Sequence, residues 1–133
     1  MLNKLCGDKI KKLARILSLI MNEEDSFEEK REKLNELVLE KGNLEMKRFF
    51  NLDTQVYREG ALTRKTKELL GLVASIVLRC DDCIEYHMRR CHEEGVSDEE
   101  MNEALSIALV VGGSITIPHI RELFDKWQGL KGG

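Results

Sequence analysis

Apolar residues recur at helical rather than strand spacing along almost the whole chain. Leu2, Leu5, Ile10, Leu13, Leu17 and Ile20 follow the three-to-four-residue period of one helix face, which predicts an amphipathic helix over residues 2–21. The polar run Asn22–Ser26 breaks that pattern. Asp25 or Ser26 can cap a second helix, with Glu28 and Glu29 suited to its positively polarised first turn. Leu34, Leu37 and Val38 are the expected buried stripe of this helix and Gly42 its stop. A shorter helix is expected from Leu44 to about Leu52, with Met46, Phe49 and Phe50 facing inward. Residues 53–62 show no clean period and include Gly60, which reads as an irregular connection.

The second half is more regular. Thr63 is a good cap for a helix running to about Arg79, whose Leu69–Ala74 segment is apolar on most sides and therefore predicted to be buried. A helix from about Asp81 to Glu94 follows, ending at Gly95. Ser97 and Glu100 have the spacing of a capping box and open a helix through Ala104, Leu105, Ala108 and Leu109. Gly112-Gly113 interrupts it, and a last helix is expected from about Ser114 to Gln128, with Pro118 tolerated only in its first turn. The expected fold is all-α, a single-domain bundle of six to seven helices over residues 1–133.

Composition agrees with helices. Charged residues are 34% of the 133-residue chain and there is one proline, so strand formers and turn punctuation are both scarce. The net charge of −3 gives no reason to expect nucleic acid. The basic run Lys4, Lys9, Lys11, Lys12 and Arg15 reads as a solvated helix face. Lysines interrupt the apolar positions of residues 1–21, so no signal peptide is expected. The most apolar run, Leu69–Leu78, falls well short of the roughly 20 residues that cross a bilayer. The expectation is a cytoplasmic protein without membrane or nucleic-acid partners. In a reducing compartment, four cysteines point to catalysis or metal binding rather than a structural disulfide framework.

Three of those cysteines and a histidine lie in one stretch. Cys80, Cys83, His87 and Cys91 fall at offsets of 0, 3, 7 and 11, within roughly 80° of one another on a helix. The stripe allows two chemistries. In the first, Cys80 and Cys83 form a redox dithiol, the helix N-terminus favours a thiolate, and His87, four residues after Cys83, serves as base and then acid. Glu68 belongs to this reading. It sits among Leu69, Leu70 and Leu72, and a carboxylate buried there needs a partner such as a histidine; the alternative is a surface glutamate on the polar stripe beside Lys65. In the second, Cys80, Cys83, His87 and Cys91 are a Cys₃His zinc set. However, four side chains on one straight helix span about 16 Å along its axis, so Cys80 and Cys91 could not both reach one ion. A site using three of the four with Glu68 or His119 remains open.

Glu68-(x11)-Cys80-(x2)-Cys83-(x3)-His87 resembles the signature of alkyl hydroperoxidase D-type proteins, in the wider carboxymuconolactone decarboxylase family. Leu62–Leu69, Gly95–Glu100, Glu103-Ala104, Gly112-Gly113 and the closing helix with His119 agree, so the resemblance covers roughly residues 45–128 and leaves residues 1–42 as an N-terminal helical extension. It implies an all-helical homo-oligomer, trimeric or hexameric, that reduces hydroperoxides or disulfides without a cofactor. By position, Cys83 would be the attacking thiol, His87 and Glu68 its proton relay, and Cys80 the more exposed resolving thiol. Cys80 would receive electrons from an external dithiol such as a thioredoxin-like or lipoyl protein. The family's lactone decarboxylases generally lack the cysteine pair, so a lyase is the alternative activity and a zinc-binding Cys/His module the structural one. This chain departs from the family at Cys91, where a small aliphatic residue is usual, and at Asp81-Asp82. Two carboxylates beside the thiols oppose thiolate formation.

Among the remaining residues, Cys6 reads as an incidental small apolar residue, Cys91 as a small buried group, and His92 as solvated. His119 is either a packing group or a polar pocket residue. Tyr86 can pack over the thiols, and Trp127 anchors the last helix.

Overall fold

The computed structural model describes the backbone of residues 2–132 and the side chains of residues 7–17 and 27–132. The expected positions Leu2, Leu5, Cys6 and Ile20, and the expected caps Asp25 and Ser26, have side chains outside that description. Every regular element among the described residues is helical. In order they are α1 (Leu2–Lys41), α2 (Leu44–Val56), α3 (Arg64–Leu78), α4 (Asp81–Glu93), α5 (Asp98–Gly112), a short 3₁₀ turn (Ser114–Thr116) and α6 (Ile117–Lys131). The chain divides into two compact units, Met1–Leu52 and Asp53–Gly133.

In the first unit, the break expected at residues 22–26 does not occur; α1 is one helix from Leu2 to Lys41. Asn22–Ser26 contains neither glycine nor proline, and polar residues alone do not stop a helix. Gly42 ends it as expected. A side chain there would meet the Val38 carbonyl oxygen at 2.4 Å, while the Gly42 N–H donates to that same oxygen at 2.7 Å. The expected inward stripes are not buried. Leu34, Leu37 and Val38 on α1, and Met46 and Phe49 on α2, are all exposed, and α2 buries no residue. A unit of two helices has too little second layer to enclose an apolar stripe.

The second unit holds the core. Its chain first completes α2, which runs one turn past the expected end, and then loops to Thr63. The Thr63 hydroxyl accepts from the Thr66 N–H at 3.2 Å and starts α3. Leu72 and Ile76 of α3 pack with Ile84, Met88 and Cys91 of α4, Met101, Leu105 and Ala108 of α5, and Ile120, Leu123 and Trp127 of α6. Burial of each large side chain contributes on the order of 1.5–3 kcal/mol. Not all of α3 is enclosed: Leu70 and Leu78 are exposed. The capping box at Ser97 and Glu100 is complete, and Pro118 lies in the first turn of α6. Trp127 anchors α6 as expected; its indole N–H donates to Asp98 at the start of α5, 2.7 Å away.

The passage from α3 to α4 decides where the cysteine pair sits. Arg79 takes a left-handed conformation (φ 59°) that closes the last turn of α3. The Cys80 N–H donates to the Ser75 carbonyl at 3.1 Å. Cys80 thereby becomes the N-terminal cap of α4 and Cys83 lies in its first turn, where unsatisfied N–H groups and the helix dipole favour negative charge.

Candidate functional site

Cys80 and Cys83 are joined as a disulfide, their Cα atoms 5.3 Å apart. Cys83 is exposed and Cys80 half-buried, the reverse of the order expected. A residue at the helix cap is partly covered by the α3–α4 turn, whereas Cys83 faces outward one turn in. His87, a further turn along α4, is buried.

Glu68 is 1% exposed, in the middle of α3. Its Oε2 lies 2.8 Å from Nδ1 of His87. With a carboxylate as acceptor, Nδ1 carries the ring hydrogen and donates it. The structure therefore joins Glu68 to His87 and supplies the partner that a buried carboxylate requires, since an unpaired one costs several kcal/mol.

The ring's other nitrogen also has a partner, one the sequence reading missed. Nε2 of His87 lies 3.4 Å from the hydroxyl of Tyr57, and the two rings sit 5.2 Å apart. Tyr57 comes from the segment read as an irregular connection. Two features seat it. The Lys67 ammonium donates to the carbonyls of Val56 and Arg58, at 2.7 and 2.6 Å, so the backbone on both sides of Tyr57 is tied to α3. Gly71, one turn after Glu68, leaves the space: a Cβ there would lie 2.6 Å from the Tyr57 oxygen and 2.7 Å from Cε1 of His87. Burial, and then the charge of Glu68, raise the Tyr57 pKa, so the phenol keeps its proton. A glycine inside an apolar helix is a sign of close approach by another group, and it was the available clue.

The other candidates lie elsewhere. Tyr86 packs edge-on against His87, with ring centroids 5.1 Å apart. Nδ1 of His119 is 2.7 Å from Oδ1 of Asp81, so this histidine bridges α6 to the acidic pair beside Cys80. It lines a small groove between α4 and α6 with Glu85, Glu122 and Lys126. His92 is exposed, its ring edge against Trp127.

The Cys₃His alternative is not assembled. Two of its sulfurs are bonded to each other, and Cys91 is fully buried in the apolar core. Among the described residues no three His, Cys, Asp or Glu side chains are placed to hold a metal ion. No helix among them is long and apolar enough to cross a membrane.

A model of the family described as carboxymuconolactone decarboxylase matches residues 44–126. Two crystal structures of one Thermotoga maritima protein are similar to this chain, at 63% and 62% identity with TM-scores of 0.79 and 0.78. Each covers 80% of this chain, and respectively 94% and 91% of the Thermotoga chain. The second is described as a family protein with a possible part in an antioxidative response. An apo family protein from Legionella pneumophila is 26% identical over 79% of this chain and 96% of its own, with a TM-score of 0.68. Among curated relatives, an uncharacterised protein of the Paracoccus denitrificans cox locus is 31% identical over 71 residues, 53% of this chain. The matched stretches span 64% of that relative and 50% of a second, from Cupriavidus necator.

Burial, followed by the charges of Glu68 and Glu94, pushes the Cys91 thiol up to about 12. Alkylation of the reduced, folded protein at pH 8.5 is therefore expected to modify Cys80 and Cys83 and to spare Cys91, as read by peptide mass spectrometry. The folded state holds the Cys91 proton where the unfolded state releases it. Its stabilising contribution is thus complete below the ordinary value of 9.0 and is lost as pH rises from there towards about 12. Prompt labelling of Cys91 in folded protein would contradict its placement.

Proposed function

This chain belongs to the carboxymuconolactone decarboxylase family, and we propose that within it the protein is a cytoplasmic thiol oxidoreductase that reduces a hydroperoxide or a small disulfide. The observation that carries the reading is the convergence, on one helix, of a Cys80–Cys83 pair with a histidine held by a buried glutamate. The description of the Thermotoga relative supports the same direction. A lactone decarboxylase has no use for the sulfur pair.

In the proposed cycle, the reduced Cys83 gives its proton to His87, whose ring Glu68 orients and whose cationic form it stabilises. Cys83 is the exposed sulfur of the pair and meets the substrate. Its thiolate attacks the terminal oxygen of the hydroperoxide; an S–O bond forms, the O–O bond breaks, and the alkoxide takes the proton from His87 and leaves as alcohol. The Cys80 thiol then attacks the Cys83 sulfenic acid, closing the disulfide and releasing water. In sum, two thiols and one hydroperoxide give one disulfide, one alcohol and one water.

An external dithiol, of the thioredoxin-like or lipoyl kind, returns the two electrons. Its thiolate attacks the exposed Cys83 sulfur, and Cys80 leaves as a thiolate at the cap of α4, where the helix N-terminus favours that charge; the dithiol's second thiol then attacks its own sulfur in the mixed disulfide, closing the external disulfide and freeing Cys83. The exposures of the two residues support Cys83 rather than Cys80 as the entry point.

We further propose that the chain works as a homo-oligomer, a trimer or hexamer. In the second unit, Val110 and Val111 near the end of α5 are 85% and 68% exposed, and Leu78 at the end of α3 is 76% exposed. Apolar side chains gathered at helix ends in this way suit burial against a second copy. Light scattering is expected to give three or six times the 15.3 kDa chain mass, and Val110→Glu is expected to lower it. A monomeric native protein would contradict this.

The redox reading is tested on reduced protein. One equivalent of hydroperoxide should remove two titratable thiols, restorable with dithiothreitol, and Cys83→Ser should lose turnover at least a hundredfold, the scale of removing a nucleophile. Undiminished turnover in Cys83→Ser, or no thiol loss in the native protein, would overturn it.

A further inference from the structure

We infer that Tyr57 is a positioning residue for His87: its hydroxyl donates to Nε2 and, with Glu68 accepting from Nδ1, fixes the orientation of the imidazole with its basic nitrogen turned away from the glutamate. The inference rests on the thiol oxidoreductase reading for its consequence, though not for its geometry. A neutral imidazole has one donor and one acceptor nitrogen. The Glu68 carboxylate at 2.8 Å takes the donor, so Nε2 can only accept, and the group it faces is the Tyr57 hydroxyl at 3.4 Å. A phenol whose pKa is raised by burial and by Glu68 remains a donor throughout the neutral range.

The surrounding chain is built to keep the phenol there. Two carbonyl bonds from Lys67 fix the backbone before and after Tyr57, and Gly71 leaves the space that both rings occupy against α3, since a Cβ would come within 2.6 Å of one and 2.7 Å of the other. Lys67, Glu68 and Gly71 all lie within five residues of α3, so one helix supplies the glutamate, the clamp on the tyrosine and the clearance for both rings. Nothing in this arrangement is required by the apolar core, which is formed by other residues.

In the oxidised protein Tyr57 thus occupies the nitrogen to which a proton must be delivered. When a Cys83 proton moves to His87, Nε2 becomes a donor, and the Tyr57 oxygen, which has lone pairs to offer, turns from donor to acceptor. The phenol rotor therefore meets the ring in both protonation states without moving its own heavy atoms.

The test is Tyr57→Phe, which keeps the ring and removes the hydroxyl, examined by ¹⁵N NMR of the His87 ring and by hydroperoxide turnover, with circular dichroism melting to confirm that the variant folds. Native protein is expected to show one dominant Nδ1–H tautomer. The variant is expected to keep that tautomer, which Glu68 sets, but to show a displaced Nε2 resonance and a rate lower by roughly tenfold, the scale of one hydrogen bond. Gly71→Ala, which crowds both rings but leaves the hydroxyl in place, is expected to perturb the same NMR signals. A variant Tyr57→Phe with an unchanged Nε2 resonance, or with a changed one and native turnover, would overturn the inference. If native protein turns over no hydroperoxide or disulfide, the functional reading fails, and the NMR comparison still decides whether Tyr57 engages Nε2.

Discussion

A carboxylate removed from water must have a partner, and in this protein that requirement organises the site. Glu68 is almost wholly inaccessible and lies on a helix whose neighbouring turns supply the apolar core. Left alone it would oppose folding by several kcal/mol. His87 answers it from α4, the helix that carries the cysteine pair. The pairing of α3 with α4 is therefore not free to slip. A shift of one residue along α4 would put Tyr86 or Met88, in place of His87, opposite the carboxylate.

From that fixed pairing the rest of the site takes its place. The left-handed turn at Arg79 and the Cys80 N–H bond to Ser75 join the two helices through Arg79 and Cys80 alone. This leaves both cysteines at the start of α4, where the peptide dipoles favour a thiolate and offset the nearby acids. One of those acids, Asp81, is also held by His119 from α6. The tyrosine enters last, through a connection tied down by Lys67. Buried acid, imidazole and phenol thus form one line of hydrogen bonds, with the sulfur pair a turn away on the same helix.

Much of this was legible in the sequence, for identifiable reasons. Helices α3 to α6 carry strong local signals, among them Thr63, the Ser97/Glu100 box and Pro118, so their limits follow from capping chemistry close to the chain. The Glu68–His87 pair followed from burial logic, because a glutamate among leucines predicts its own partner. The failures arose where local pattern does not determine the outcome. Asn22–Ser26 has polar residues but no breaker, and α1 runs through it. The stripes of Leu34, Leu37, Met46 and Phe49 are apolar, yet burial depends on what else is present to cover them. The exposures of Cys80 and Cys83 depend on the covering turn rather than on their spacing. Tyr57 lies in a segment without a period, and only the clearance at Gly71 hinted at a visitor.

In the proposed mechanism Glu68 and His87 act as a single unit upon Cys83. A double-mutant cycle on the rate of Cys83 oxidation by hydroperoxide tests this most directly, using Glu68→Gln, His87→Asn and the double variant, with melting curves to confirm folding. If the glutamate works through the histidine, the double variant should be about as slow as His87→Asn alone, a strong departure from additivity. Losses that simply multiply would show two independent residues and contradict the account.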